Sequence, residues 1–333
     1  MGVVRMFGLN IHSRGPVVKQ PRSPIPLAFL IYAIILRMIT KPIDALIAAA
    51  LKEDLPAGDI TSENLIDPGT LGRALLLAKQ NGVLAGIDIA RRVFLRLDPR
   101  TSFNRLFKDG QAFKAGDVLA EIEGRAVVLL KGERTALNFV QRMSGIASAT
   151  RTYVEAVAGT KARILDTRKT TPGLRSLEKY AVRMGGGENH RLNLSTMALI
   201  KDNHLMLVGD IAEAVRRVRK RIKSGILIEV EVTTFEQART ALDGGADWIM
   251  LDNMSLSHMK RIVSWVAGRA KIEASGNVSL ATVRKIASLG VDYISVGKLT
   301  HSSGSVDLSL EFLGELPRDI ERAGLRIPAR KKL

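Results

Sequence analysis

No cysteine occurs among the 333 residues of this chain. That excludes disulfides and thiolate-held metals, and it makes a reducing compartment natural, so a cytoplasmic location is expected. Any metal has to be held by oxygen or imidazole, which favours Mg²⁺ or Mn²⁺. Aromatic residues make up only 5% of the chain, without an RRM-like signature, which argues against an RNA-binding module. A transmembrane helix needs roughly 20 apolar residues. The apolar run Leu27 to Leu36 is shorter than that, and no membrane partner is expected. GxGxxG, Walker A, HExxH, a zinc-ligand set and an ordered Ser-His-Asp triad are also missing. Dinucleotide, NTP, metalloprotease and triad-hydrolase readings lose support accordingly.

Acidic residues are missing from both ends. Residues 1–41 hold six Lys/Arg and no acid, and residues 326–333 hold four more, again with no acid. Removing these ten from the 50 basic residues leaves 40 against 33 acids, so the net charge of +17 falls to +7 for the body. The basic balance is therefore ends plus a pocket rather than an evenly basic face, and no nucleic-acid partner is expected. No small-residue cleavage site comes after the apolar run. Residues 1–37 read either as a disordered extension or as translated sequence upstream of a start at Met38. The second is preferred, because the chain from Met38 onward needs nothing upstream.

What is present is a globular body of 46% hydrophobic residues, long enough for two domains or a barrel with an accessory domain. Ile43 to Leu51 reads as a short amphipathic helix and EDLPAGD (53–59) as an acidic turn. Alternating apolar residues in Arg73–Lys79 and Val83–Ile87 about Asn81-Gly82 predict a hairpin, and Asp109-Gly110 predicts another. KAGDVLAEIEG and AVVLL (114–130) add short strands, so this half reads as an antiparallel sheet domain. The pattern turns helical from Glu133 to Ala158, ended by Gly159.

Beyond Gly159 the chain takes up a strand–helix rhythm. Strands are expected at 162–166, 197–202, 226–232, 247–252, 271–275 and 292–297. Helices fit at Ile211–Ile222, Phe235–Leu242, Leu256–Val266 and Leu280–Leu289, with Thr234 and Gln237 as a capping box for the second. Alternating βα units imply a parallel sheet, doubly wound or closed as a barrel. Polar residues fall at the carboxyl ends of the strands: Lys201-Asp202, Glu231, Asp252-Asn253, Ser275-Gly276-Asn277 and Gly297-Lys298. Successive spacings from Asp202 are 29, 21, 23 and 22 residues, about one βα unit each. In a barrel such ends converge on one face, where substrates are held.

The stretch Asp166 to His204 carries Arg168, Lys169, Arg175, Lys179, Arg183, His190, Arg191 and Lys201 around Gly185-Gly186-Gly187. Cations tied to apolar strands suggest a rigid pocket for a small polyanion. Glu231 and Asp252 are too few to neutralise them, so the carboxylates are expected to hold Mg²⁺ and the cations to hold substrate phosphates and carboxylates. VGKLTHSSGSVD (296–307) offers backbone N–H groups for a phosphate, as late barrel loops do.

These motifs carry a resemblance. EDLPAGDIT (53–61), ERTALNFVQRMSGIA (133–147), DTRKTTPGLR (166–175), GGGENHR (185–191), IKDNH (200–204), EVEV (229–232), MLDN (250–253), EASGN (273–277) and SVGKLTHS (295–302) together resemble the quinolinate phosphoribosyltransferases. The likeness runs from about residue 38 to the carboxyl end, with Pro56 at a position usually Gly in the family. It implies an α/β fold: an incomplete (β/α) barrel with an N-terminal open-faced α/β sandwich domain. The sandwich would span 38–134 and the barrel 135–304. A helical segment over 305–333 would pack back on the N-terminal domain and end in a basic tail. The implied reaction joins quinolinate and phosphoribosyl pyrophosphate, with Mg²⁺ as cofactor, into nicotinate mononucleotide, pyrophosphate and CO₂, a step of de novo NAD biosynthesis. A homodimer, or a multiple of it, with shared sites is implied too.

By that resemblance Arg134 would reach a neighbouring subunit's site. Arg168, His190, Arg191 and Lys201 would bind the quinolinate carboxylates, and Lys169 would approach the phosphoribosyl donor. Glu231 and Asp252 would serve Mg²⁺ and the ribose hydroxyls, while Ser275, Gly276 and Gly297 would hold phosphate. Lys169, Lys201, Glu231 and Asp252 would be the catalytic set. The presence of Arg134, Arg168, Lys169, His190 and Arg191 together argues against the molybdenum-transport-associated homologues.

Overall fold

A computed structural model describes residues 42–313. The extension expected over 1–37, the start at Met38 and the basic tail all lie outside these residues.

The amino-terminal part opens with helix α1 (42–54) and the short α2 (Ser62–Leu65), whose first turn is held by Asp59 Oδ1 accepting from the Thr61 and Ser62 backbone N–H groups. Its main sheet is antiparallel, in the order β12-β1-β5-β3: β1 (Leu71–Ala78), β3 (Ser102–Arg105), β5 (Val118–Arg125) and β12 (Leu308–Phe312). A separate two-stranded pair joins β2 (Gly82–Val83) to β4 (Ala112–Phe113). Neither expected hairpin forms. β1 pairs with β5 and β12, far along the chain, and β3 also pairs with β5. Asn-Gly and Asp-Gly turns favour a hairpin, but the long central strands gain more from burial between two distant partners.

Helix α3 (Ile87–Leu97) replaces the end of the expected second strand. Its apolar residues at 87, 89, 90, 93 and 94 are buried, which is the helical spacing. Helix α4 (Ala126–Ala156) runs for 31 residues, so AVVLL begins this helix and is not a strand, and the 134/135 domain boundary falls inside it. One sheet face packs Leu76, Ile122 and Leu310 against Phe94, Leu137 and Val140 of the two helices. Leu75, Leu77 and Val118 pack on the other face with Leu106 and Leu313. The part of the 305–333 segment that is described is strand β12, not helix; it pairs antiparallel with β1.

The second sheet has six parallel strands in the order β6-β11-β10-β9-β8-β7. They are β6 (Arg163–Leu165), β7 (Ala198–Ile200), β8 (Ile228–Val232), β9 (Trp248–Asp252), β10 (Lys271–Ser275) and β11 (Tyr293–Ser295). No ladder closes β6 onto β7 among the described residues; only Glu188 bridges to Leu165 on the β6 side. The barrel is incomplete, as expected. Helices α5 (Arg175–Met184), α6 (Asp202–Val208), α7 (Ile211–Arg221), α8 (Phe235–Asp243), α9 (Leu256–Val266), α10 (Leu280–Ala287) and α11 (Lys298–His301) connect the strands. The Thr234–Gln237 capping box starts α8 as the sequence suggests.

Candidate active site

Strand pleating sends alternate side chains to one face. On the barrel's inner side these are Leu199 of β7, Glu231 of β8, Met250 and Asp252 of β9, Glu273 and Ser275 of β10, and Ser295 of β11. They line a cavity of about 740 Å³ at the carboxyl ends of the strands. Loops add Arg168 and Lys169 after β6, His190 and Arg191 before β7, Lys201 after β7, and Gly276, Asn277 and Gly297, while α11 adds Lys298. Of the residues given a substrate or metal role by the resemblance, all lie on this cavity except Arg134, which is exposed on α4.

Cations dominate the mouth. The Arg168 Nε is buried without a hydrogen-bond partner. Burial, and then the charge of Arg168, holds the Arg191 guanidinium below its ordinary value. One Arg191 nitrogen donates to the Met197 carbonyl at 3.1 Å. Two guanidinium groups that repel each other on one cavity are an arrangement that an anion relieves. Lys201 lies 3.6 Å from Glu231. Burial pushes the Glu231 carboxyl up, Lys201 opposes this, and Asp252 reinforces it. The Glu231–Asp252 side of the cavity therefore carries the negative charge that a divalent cation relieves.

The loops here are strained. Asn253 and Asn277 have φ of 52° and 49°, and Gly276 lies between 253 and 277 in space at φ 90°. A Cβ on Gly276 would come within 2.2 Å of Asn253 Oδ1. Asn277 donates to Asn253 at 3.0 Å, and Asn253 donates to Asp252 at 2.8 Å, so this chain of amides fixes the Asp252 carboxylate. On the far side, Thr300 Oγ1 donates to the Lys169 carbonyl at 2.7 Å and ties that loop to α11.

Below the mouth lies a buried layer that sequence reading missed. His190 Nε2 is 2.8 Å from Glu229 and 3.6 Å from Glu273, and Ser295 donates to Glu273. Burial pushes Glu229 up to about 7, and burial with the neighbouring Glu229 raises Glu273 well above its ordinary value. Burial lowers His190. The signal was in the strands: Glu229 and Glu273 stand two residues before Glu231 and Ser275, hence on the same inward face. Aromatic rings adjoin this layer, with Trp248 stacked on Tyr293 at 4.3 Å and His190 edge-on to Trp248.

The sequence matches the family profile "Quinolinate phosphoribosyl transferase, N-terminal domain" over residues 59–144 and the corresponding "C-terminal domain" over 146–311. The chain belongs to this family. It is 43% identical over 274 residues to a probable nicotinate-nucleotide pyrophosphorylase [carboxylating] of Synechocystis sp., covering 81% of this chain and 92% of that protein. A Bacillus subtilis protein with the same description is 43% identical over 259 residues, covering 78% and 89%. The crystal structure of NadC from Streptococcus pyogenes superposes with a TM-score of 0.79 at 43% identity, covering 82% of this chain and 97% of that one.

Within this family member the Asp166–His204 stretch divides. Lys179 is buried and donates to Asp166 and to the His190 carbonyl, so it braces the loop from behind. Arg175 donates to Thr170 and to the Leu192 carbonyl. The glycine run also serves packing rather than a ligand. A Cβ on Gly185 would lie 2.4 Å from the Ala147 carbonyl oxygen of α4, and one on Gly187 would lie 2.8 Å from Thr150. The expected polyanion pocket is therefore built by Arg168, Lys169, Arg191 and Lys201, with Arg175, Lys179 and the glycines behind it.

Proposed function

We infer that this chain transfers the phosphoribosyl group of phosphoribosyl pyrophosphate to quinolinate and decarboxylates the product, giving nicotinate mononucleotide, pyrophosphate and CO₂. One observation carries the reading: unneutralised cations, the orphaned Arg168 Nε among them, face the same cavity as Glu231 and Asp252. Both substrates are small polyanions, and such a cavity suits them.

The pyridine nitrogen has a free lone pair, so attack on the ribose C1 requires no general base. Arg168 and Arg191 grip the two carboxylates of quinolinate through their planar forks. His190 and Lys201 complete the quinolinate site, and Lys169 approaches the phosphoribosyl donor, whose pyrophosphate charge has to be held as the C1 bond breaks. Ser275, Gly276 and Gly297 supply the phosphate loops. Glu231 and Asp252, mutually repulsive and offset only in part by Lys201, fit Mg²⁺; when bound it neutralises pyrophosphate. Once the ring nitrogen is ribosylated, its positive charge stabilises the carbanion formed as the 2-carboxylate departs.

The active form is a homodimer, or a multiple of it, in which Arg134 completes the neighbour's cavity. Its exposure on α4, away from its own cavity, supports this. Leu194, Met206 and Leu207 are 68%, 84% and 88% exposed near the mouth and provide apolar surface for a partner copy to cover. No described helix is long and apolar enough to cross a membrane; the reading places the enzyme in the cytoplasm with its soluble substrates. The deciding assay supplies quinolinate, phosphoribosyl pyrophosphate and Mg²⁺ and follows CO₂. Release with quinolinate, and no mononucleotide formed from nicotinate, is expected. Turnover of nicotinate in place of quinolinate would refute the reading.

A further inference from the structure

Ribosyl transfer makes no use of the acids under the cations. Glu229 of β8 and Glu273 of β10 are each 0% exposed, and oxygens of the two lie within 4.8 Å of each other and of the His190 ring. Two carboxylates buried so close together do not both stay ionised, so the pair holds a proton.

The His190 ring locates that proton. Its Nδ1 accepts the Arg191 backbone N–H at 2.8 Å, so the proton of the neutral ring sits on Nε2 and is donated to Glu229 Oε2, also at 2.8 Å. Nε2 then has no lone pair for a metal. The grouping of His190, Glu229 and Glu273 within 4.8 Å therefore holds a proton and not a cation. Glu273 accepts from the Ser295 hydroxyl on one oxygen. Its Oε2 and the Glu229 Oε1 are both buried without a conventional partner. A hydrogen on Glu273 Oε2, donated to Glu229, satisfies both atoms. Glu273 is thus a carboxylic acid on the wall of the substrate cavity.

We propose that Glu273 is a catalytic acid that protonates the ring carbon vacated by CO₂. The proposal rests on the decarboxylating reaction inferred above. As the bond from C2 to the carboxylate breaks, its electron pair stays on C2 beside the ribosylated, positively charged nitrogen. That pair takes the Glu273 proton to form the C2–H bond, and Glu273 becomes a carboxylate. Solvent reprotonates it through the open cavity after product leaves, because two adjacent buried carboxylates do not stay ionised together.

The test is a single turnover with carboxyl-labelled quinolinate, phosphoribosyl pyrophosphate and Mg²⁺, in which pyrophosphate and CO₂ are quantified separately. Wild-type enzyme should release both together; release of neither would refute the functional reading instead. For Glu273→Gln, pyrophosphate should appear within about threefold of the wild-type rate while CO₂ slows by about 100-fold, so that a carboxylated mononucleotide accumulates. A purely structural role would slow both products alike. Release of the two in step by Glu273→Gln, at any rate, would overturn the proposal. If that variant does not fold by circular dichroism, Glu273→Asp, which keeps the acid but shortens it, takes its place. It must show the same separation of CO₂ from pyrophosphate, and release in step would again overturn the proposal.

Discussion

Arg168 and Lys179 lie eleven residues apart in one basic stretch, yet the fold puts them to opposite uses. Arg168 ends in the cavity with its Nε unpartnered, whereas Lys179 is buried against Asp166 and the His190 carbonyl. Charge on a loop after a strand end stays available to a ligand. Charge on the inner face of a helix is consumed by the protein. A count of cations in sequence cannot separate the two.

Breaking the ligand side should have the largest effect. Arg168→Ala is expected to weaken quinolinate binding by about 100-fold, the loss of a charge-assisted fork, with little change in melting temperature. Arg168→Lys should recover only part of this, since an ammonium cannot replace the fork. Binding calorimetry decides, and unchanged affinity in Arg168→Ala would remove this residue from the quinolinate site.

Arg134 belongs to neither class and sharpens the contrast. Mixing inactive Arg134→Ala and Lys169→Ala chains should restore about a quarter of wild-type activity, since half of randomly exchanged dimers hold one intact site. No recovery after proven subunit exchange would confine Arg134 to its own chain.

Breaking the scaffold side should cost stability instead. Lys179→Met leaves Asp166 buried without its cation and should destabilise by about 3–5 kcal/mol in chemical denaturation. Gly185→Ala pushes a methyl onto the Ala147 carbonyl and should cost about 1–3 kcal/mol. If either variant folded normally but lost quinolinate affinity, the division would be misplaced.

The smallest effect concerns pH. The folded pair binds protons more tightly than the unfolded chain, since burial pushes Glu229 up to about 7 and raises Glu273 well above the ordinary 4.5. Their contribution to stability therefore falls as pH rises from about 4.5 through about 7 and beyond. His190 is lowered from 6.5, so it acts in the opposite sense, below that value. Above 6.5 the carboxyls act alone. The melting temperature should drop by a few degrees between about pH 6.5 and 8, and less in Glu273→Gln. An equal drop in both would exclude Glu273 as a source.

The barrel was legible because each βα unit is local. Strand, turn and helix succeed one another within some twenty residues, and α9 occupies the span that its periodicity indicates. The polar strand ends could be read for the same reason. The amino-terminal sheet was harder, since its strands are paired by partners as distant as Leu76 and Leu310. AVVLL has strand composition, but continuity with a long buried helix overrides it. Glu229 and Glu273 were passed over because the terminal polar residue of each strand drew attention from the one two positions earlier.

The sequence by itself determined the alternation of strands and helices, the excess of cations over carboxylates at the strand ends, and the family, since each is written in local order and residue type. Only the tertiary structure decided which cations stay free, that the glycine run is a packing surface, and that two acids from separate strands meet beneath His190. Those outcomes depend on burial and on contacts between residues far apart in the chain, and burial is what turns a neutral acid or an unpaired arginine into a chemical tool.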